Sequence, residues 1–202
     1  MNIKLIVNKF LHLFELRRIN SNEKCVYLTF DDGPEGEITD WVLNVLERYG
    51  AKATFFCKGE NAVNNKEQLT RIVEKGHALG NHTYSHINSF NTPTADYVKD
   101  VDLADGVLNT VFFRPPWGSL TFSAFLQLRK KYKIVYWSLI SGDTFMEKLD
   151  LDSNMQRLYR ETRPGDIVLF HSCVRHENET KQILPLYLEW LSNNGYKTSV
   201  LE

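Results

Sequence analysis

The feature that most restricts the fold of this chain is a regular alternation of strand-like and helix-like segments, sustained from Cys25 onward. Cys25–Phe30 predicts a strand, and Ile38, Trp41, Val42, Val45, Leu46 and Tyr49 then mark one face of a helix that Gly50 closes. Ala53–Cys57 predicts a second strand, Leu69, Ile72 and Val73 a short helix ending at Gly76, and His77–Asn81 a third strand. A helix carrying Tyr97, Val98, Val101 and Leu108 follows Pro93. The rhythm continues through a strand at Phe112-Phe113, a helix over Ser123–Lys131, a strand over Ile134–Trp137 and a helix over Ser153–Glu161. It ends with a strand over Ile167–His171, a helix over Thr180–Asn193 and a strand over Lys197–Leu201, with Pro185 marking the helix's first turn or a kink. This order implies an α/β fold with a parallel sheet, open or closed into a barrel.

The segment before Cys25 has a different character. Leu5, Val7, Phe10, Leu11, Leu13, Phe14 and Leu16 cover a wide apolar face, which predicts a helix packed on the body, with loose contact to a membrane surface as the alternative. Lys4, Lys9, His12 and Glu15 interrupt it, so it forms neither a continuous signal-type core nor a span, and cytoplasm and cell envelope both stay open as locations. The domain division expected is a helical extension over residues 1–23 and one alternating α/β domain over 24–202. The formal net charge of −1 gives no electrostatic reason to expect nucleic acid. The three cysteines lack C-x-x-C spacing, which argues against a disulfide framework or a thiolate metal site. The composition sets no oligomeric state.

Polar clusters follow the predicted strands, at the ends where parallel sheets and barrels gather their sites. His82 and His86 are four apart, a spacing that puts both imidazoles on one face of a helical turn, where two nitrogens can hold one metal at roughly 2.0–2.1 Å. The pair needs a third ligand, and alone it is equally two ordinary histidines. Asp31-Asp32-Gly33-Pro34 supplies two adjacent carboxylates, one able to bind a metal and the other to take a proton from water, although the same four residues also make an ordinary solvated turn. In Arg114-Pro115-Pro116-Trp117-Gly118 the prolines stiffen the loop, the arginine can hold a carboxylate in its ionised form, and Trp117 offers a flat face to a sugar ring. His171 ends an apolar strand, a place for a general acid or for a satisfied rim histidine.

In order and composition these clusters resemble the polysaccharide deacetylase family, carbohydrate esterase family 4. The motifs are Thr29-Phe30-Asp31-Asp32-Gly33-Pro34, Asn81-His82-Thr83-Tyr84-Ser85-His86, Arg114-Pro115-Pro116-Trp117-Gly118 and Leu169-Phe170-His171. Ala53-Thr54-Phe55-Phe56 and Gly76–Asn81 also look like it, so the resemblance runs from about Lys24 to the C-terminus. It implies an irregular (β/α) barrel of about seven parallel strands. It implies Asp32, His82 and His86 as metal ligands, Asp31 as general base oriented by Arg114, and His171 as general acid. Pro115, Trp117 and Leu169 are expected to contact substrate. The ligand set suits zinc, with cobalt or nickel able to enter by affinity order.

One motif departs from the resemblance. The family carries D-x-x-D-W after the Trp-bearing strand, its first acid partnering the catalytic histidine. Here Ile140 stands at the first acidic position and Thr144 at the tryptophan, leaving Asp143 as the remaining catalytic-site acid. The expectation is a lower His171 pKa than with both acids present, unless Asp166 or another group substitutes. Three functions are consistent with the sequence. They are hydrolysis of N-acetyl groups on an N-acetylglucosamine glycan, hydrolysis of O-acetyl esters of the xylan type, and non-catalytic sugar binding on the same fold.

Overall fold

A computed structural model describes residues 16–20, 23–144 and 150–202. Among the described residues eight strands form the sheet: β1 Cys25–Asp32, β2 Ala53–Cys57, β3 Ala78–Asn81, β4 Phe112–Phe113, β5 Lys133–Ile134, β6 Leu139–Ile140, β7 Ile167–His171 and β8 Lys197–Thr198. Their order is β5-β4-β3-β2-β1-β7-β6, with β8 paired to the start of β1, and the pairings are parallel. The helices are α1 Gly36–Arg48, α2 Gly59–Asn64, α3 Lys66–Glu74, α4 Thr94–Leu108, α5 Phe122–Leu128, α6 Leu151–Glu161 and α7 Glu177–Asn193. The result is the irregular (β/α) barrel that the resemblance implies.

Alternation along the strands divides inside from outside. Val26, Leu28 and Phe30 of β1 pack with Phe55, Val168, Phe170 and the buried faces of α1 and α7, Phe30 stacking on Phe55 and Phe170 at 5.1 and 5.4 Å. Thr29 and Asp31, one step out of phase, turn to the barrel interior and meet Arg114. In α1 the buried residues Ile38, Val42, Val45 and Leu46 follow helical spacing, and Gly50, with φ 60°, lets the chain turn toward β2.

The structure differs from the sequence expectation at several elements. The strand expected over Ile134–Trp137 is two short ladders. Lys133 and Val135 donate to the Val111 and Phe113 carbonyls, whereas Ser138 and Ser141 donate to Ile167 and Leu169. One extended stretch thus leaves β4 and joins β7, closing the ring across a splayed gap. Leu16 pairs with Val135, and Arg18 bridges to Asp166, so this segment lies between the same two edges. Leu16–Ile19 is therefore extended where a helix is expected. The rest of the expected N-terminal helix lies outside the described residues. Helix α2 has no counterpart in the sequence reading, being too short for a periodic signal. Helix α7 begins at Glu177, so Pro185 lies mid-helix, and Lys181 C=O lacks the usual N–H donor.

Candidate active site

The C-terminal ends of the strands bring Asp31 and Asp32, His82 and His86, Trp117, Leu169 and His171 around one cavity of roughly 390 Å³. His82 and His86 do not share a helical turn. They sit on an irregular loop after β3 in which Thr83 and His86 have φ of 65° and 55°. Asp32 and Trp117 also have positive φ, 77° and 54°, so four residues without the freedom of glycine adopt left-handed backbone at this one site. Such conformations cost of order 1 kcal/mol or more each and persist only where surrounding contacts hold them. Here they turn the side chains toward each other.

His82 Nδ1 lies 2.7 Å from the Arg114 carbonyl, which can only accept, so Nδ1 carries the proton and Nε2 presents a lone pair. That Nε2 faces Asp32 Oδ1 at 3.7 Å, and His86 Nε2 faces the same oxygen at 3.2 Å. Asp32 Oδ1 is buried and has no hydrogen-bond partner, an arrangement that a bound cation would satisfy. The ligand atoms of Asp32, His82 and His86 lie within 4.8 Å of one another, so the group fits a divalent metal with one oxygen and two nitrogen donors. Burial opposes charge on Asp32, but the His86 and His82 imidazoles overcome it and hold this carboxyl below the usual carboxylate range. Burial lowers the pKa of His82, which favours the neutral, ligating form.

Asp31 is 3% exposed, and its Oδ1 accepts from Arg114 Nη1 at 2.7 Å. Arg114 is wholly buried. Its remaining donors reach Thr29 Oγ1 at 2.8 Å, Tyr136 C=O at 2.9 Å and Val135 C=O at 3.3 Å. Those two carbonyls belong to the stretch that crosses the gap, so one guanidinium both satisfies the irregular backbone and fixes Asp31.

His171 meets Asp143. The His171 N–H donates to Asp143 Oδ2 at 2.6 Å, and His171 Nδ1 lies 3.3 Å from each carboxylate oxygen. Asp143 is 1% exposed, with the Thr180 hydroxyl 3.3 Å away. Burial pulls the His171 pKa down, but the Asp143 carboxylate, aided by Asp31 and Asp32, pushes it up to about 9. With Ile140 in the place of an acid, the carboxylate beside His171 Nδ1 is that of Asp143. Asp166 does not substitute. It lies before the other end of β7, where it binds Arg18, Ser138 and Arg163. Ile140 lines the cavity as apolar wall beside Leu169, its register partner.

A family model for polysaccharide deacetylase matches residues 18–137, more than half of the chain. The chain belongs to the polysaccharide deacetylase family. A peptidoglycan-N-acetylglucosamine deacetylase of Bacillus cereus is 30% identical over 187 residues, covering 89% of this chain and 87% of that one. The crystal structure of the Bc1960 peptidoglycan N-acetylglucosamine deacetylase superposes with a TM-score of 0.88 at 28% identity, covering 96% of this chain and 94% of that one. BA3943 of Bacillus anthracis, a pseudoenzyme of the same family, superposes at 0.77 with 25% identity, covering 93% of this chain and 67% of that one. Membership in the polysaccharide deacetylase family thus does not by itself establish turnover.

Of the residues expected to touch substrate, Trp117 and Leu169 line the cavity, whereas Pro115 is buried and lies outside the lining. Trp117 is 59% exposed, its ring 4.3 Å from that of His86. Sequence reasoning gave no site role to Trp137, Gly118, Thr144, Arg175 and His176, which also line the cavity. His176 lies 5.1 Å from His171, ring to ring, and its five-residue offset from His171 was the one available sign.

Proposed function

We propose that the protein is a metal-dependent hydrolase that removes N-acetyl groups from a glycan containing N-acetylglucosamine. The observation that carries this reading is a pair of oriented proton-transfer groups on one cavity with the Asp32, His82 and His86 group, Asp31 held by Arg114 and His171 held by Asp143. A divalent ion held by those three residues supplies Lewis acidity toward the acetyl carbonyl and lowers the pKa of water. Zinc suits the one-oxygen, two-nitrogen donor set, and cobalt or nickel can enter by affinity order.

Asp31 takes a proton from the attacking water, whose oxygen joins the acetyl carbon. His171 gives its proton to the glycosamine nitrogen as the C–N bond breaks, and acetate and the free amine leave. With its pKa pushed up to about 9, His171 carries that proton at neutral pH. An amine leaves only when protonated, whereas an alcohol departs with less help, so a protonated acid at this point supports the amide over the ester. The B. cereus relatives, which are peptidoglycan-N-acetylglucosamine deacetylases, support the same substrate class. The test is acetate release from N-acetylglucosamine oligomers and from acetylated xylan, with and without chelator. Chelator-sensitive release from the amide bears the reading out. Release from the ester alone moves the assignment to an O-acetyl esterase, and glycan binding that chelator leaves unchanged, with no release from either, makes the protein a sugar-binding module.

A further inference from the structure

The cavity occupies one end of the barrel, and the end where the parallel strands begin has a charge of its own. A lysine stands at or immediately before the start of four strands: Lys24 at β1, Lys52 at β2, Lys133 at β5 and Lys197 at β8, each exposed. Parallel pairing gathers these starts on one face, where Lys130 and Arg163 join them from the turns before β5 and β7. Lys24 and Lys52 donate to the main-chain carbonyls of Asn194 and Lys75, which carry no charge to cancel theirs. The acids Glu47, Asp102, Asp105, Glu161 and Asp166 at this end are paired with Lys75, Lys131, Arg157, Arg160 and Arg18. With Glu23, Glu74 and Glu202 set against the unpaired lysines and Arg163, an excess of positive charge remains among the described residues, which the formal net charge of −1 conceals. Apolar side chains are set among the cations. Tyr49 closes α1, Val73 lies in the last turn of α3 and Val111 precedes β4, and they are 40%, 53% and 55% exposed. Tyr49 shares a cavity of roughly 320 Å³ with Tyr196 and Lys197. The helix dipoles attract cations to this end but give no reason for exposed apolar side chains between them.

We infer that this end of the barrel lies on the head groups of an anionic phospholipid bilayer, with the catalytic rim turned away from the lipid. Charge complementarity draws the lysines to lipid phosphates, and Tyr49, Val73 and Val111 enter the apolar layer beneath. An anionic polymer in water would engage the lysines but leave those three side chains wet, which favours the bilayer. The chain also enters the fold at this end, where Arg18 meets Asp166 and the Ile19 N–H donates to the Gly165 carbonyl. Residues 1–15, which carry Leu5, Phe10, Leu13 and Phe14 with Lys4 and Lys9, lead into the same face and suit the same interface. The inference stands apart from what the cavity hydrolyses.

The measurement is co-sedimentation of the full chain with vesicles of equal parts phosphatidylglycerol and phosphatidylcholine, against vesicles of phosphatidylcholine alone. Wild type is expected to bind the anionic vesicles roughly tenfold or more tightly, and less so as salt rises. Lys24→Glu combined with Lys197→Glu weakens that binding by about tenfold or more, and Val73→Asp combined with Val111→Asp weakens it too. Lys24→Gln with Lys197→Gln, the milder pair for use if the glutamate pair lowers the thermal midpoint, gives a smaller loss in the same direction. Lys66→Glu with Lys99→Glu makes the same change of charge in the first turns of α3 and α4, near the rim, and leaves binding as in wild type. Equal binding to both kinds of vesicle, binding that survives either the lysine or the valine pair, or an equal loss in the rim pair overturns the inference. Binding to soluble polyphosphate as tight as to the anionic vesicles, and unaffected by the valine pair, assigns the lysines to an anionic polymer and overturns it too.

Discussion

Asp31 and Asp32 are neighbours with opposite surroundings. Asp31 answers to Arg114, while Asp32, turned by its φ of 77°, presents an oxygen without a hydrogen-bond partner to two imidazoles. Asp31→Asn should accordingly keep its metal, measured by elemental analysis, and lose on the order of 10²–10⁴ in turnover. His86→Ala should lose the metal itself, and full occupancy in that variant would remove His86 from the ligand set. His171 gives a prediction with a sign. An acid must be protonated to act, so activity persists below its pKa and is lost as pH rises through about 9. Asp143→Asn removes the nearest negative charge, leaves burial dominant and should shift this alkaline limb of kcat/KM to lower pH. Ile140→Asp should shift it little, since Asp143 already occupies the His171 Nδ1 side. A limb unmoved by Asp143→Asn would mean that another group titrates there.

At the scale of elements, the weak point of the sheet is where the chain crosses from β4 to β7, and Arg114 covers it. Arg114→Met would leave Asp31 buried without its cation and the Val135 and Tyr136 carbonyls short of a donor. Loss of about 3–5 kcal/mol in urea unfolding is expected, as for one partner removed from a buried pair. A second element-level effect sits at the start of β2, where the Ala53 N–H donates to His77 Nδ1 at 3.2 Å. That nitrogen must be unprotonated to accept, and burial, with Lys52 and Lys75 nearby, lowers the His77 pKa to about 4. The unfolded chain binds this proton from about pH 6.5 downward, so the stability tied to neutral His77 is whole above that value and is lost as pH falls toward 4. The unfolding free energy from urea titrations across this window should fall by up to about 3 kcal/mol in wild type and less steeply in His77→Gln.

At the scale of the whole molecule, the barrel has two ends with different tasks. The rim carries the strained backbone and the site, and the opposite end is sealed by the segment around Leu16 and Arg18. There the Arg18 guanidinium meets buried Asp166 at 2.6 Å, and Ile19 N–H donates to the Gly165 carbonyl at 2.8 Å. Gly165 tolerates this approach because it has no side chain, a Cβ there falling 1.8 Å from the Ile19 oxygen. Arg18 is half-exposed but Asp166 is buried and keeps only the Ser138 hydroxyl and the Arg163 N–H without it, so Arg18→Ala should cost about 1–3 kcal/mol. Gly165→Ala should cost more, since it displaces the segment and strains a φ of 82°. Thermal unfolding ranks the two, and kcat/KM should hold for Arg18→Ala because the site lies at the other end.

Composition and periodicity alone implied alternating strands and helices, and with them a rim where Asp31, Asp32, His82, His86, Arg114, Asp143 and His171 would gather. Those signals are local. Burial of one face of each element dictates spacing along the chain, so spacing can be read without the fold. What pairs with what is not local. The short ladders of β5 and β6 exist because one stretch must serve two distant strands, and Arg114 is buried because that stretch leaves carbonyls open. Asp143 reaches His171 only through the path of the chain after β6, which no motif spacing encodes. His82 and His86 converge through left-handed loop residues and not through a helical turn, although a four-residue spacing is the same in either. The residue types were sufficient to suggest the chemistry. Their orientations, and hence which carboxylate faces the arginine and which faces the imidazoles, were set by backbone geometry that depends on contacts between segments far apart in sequence.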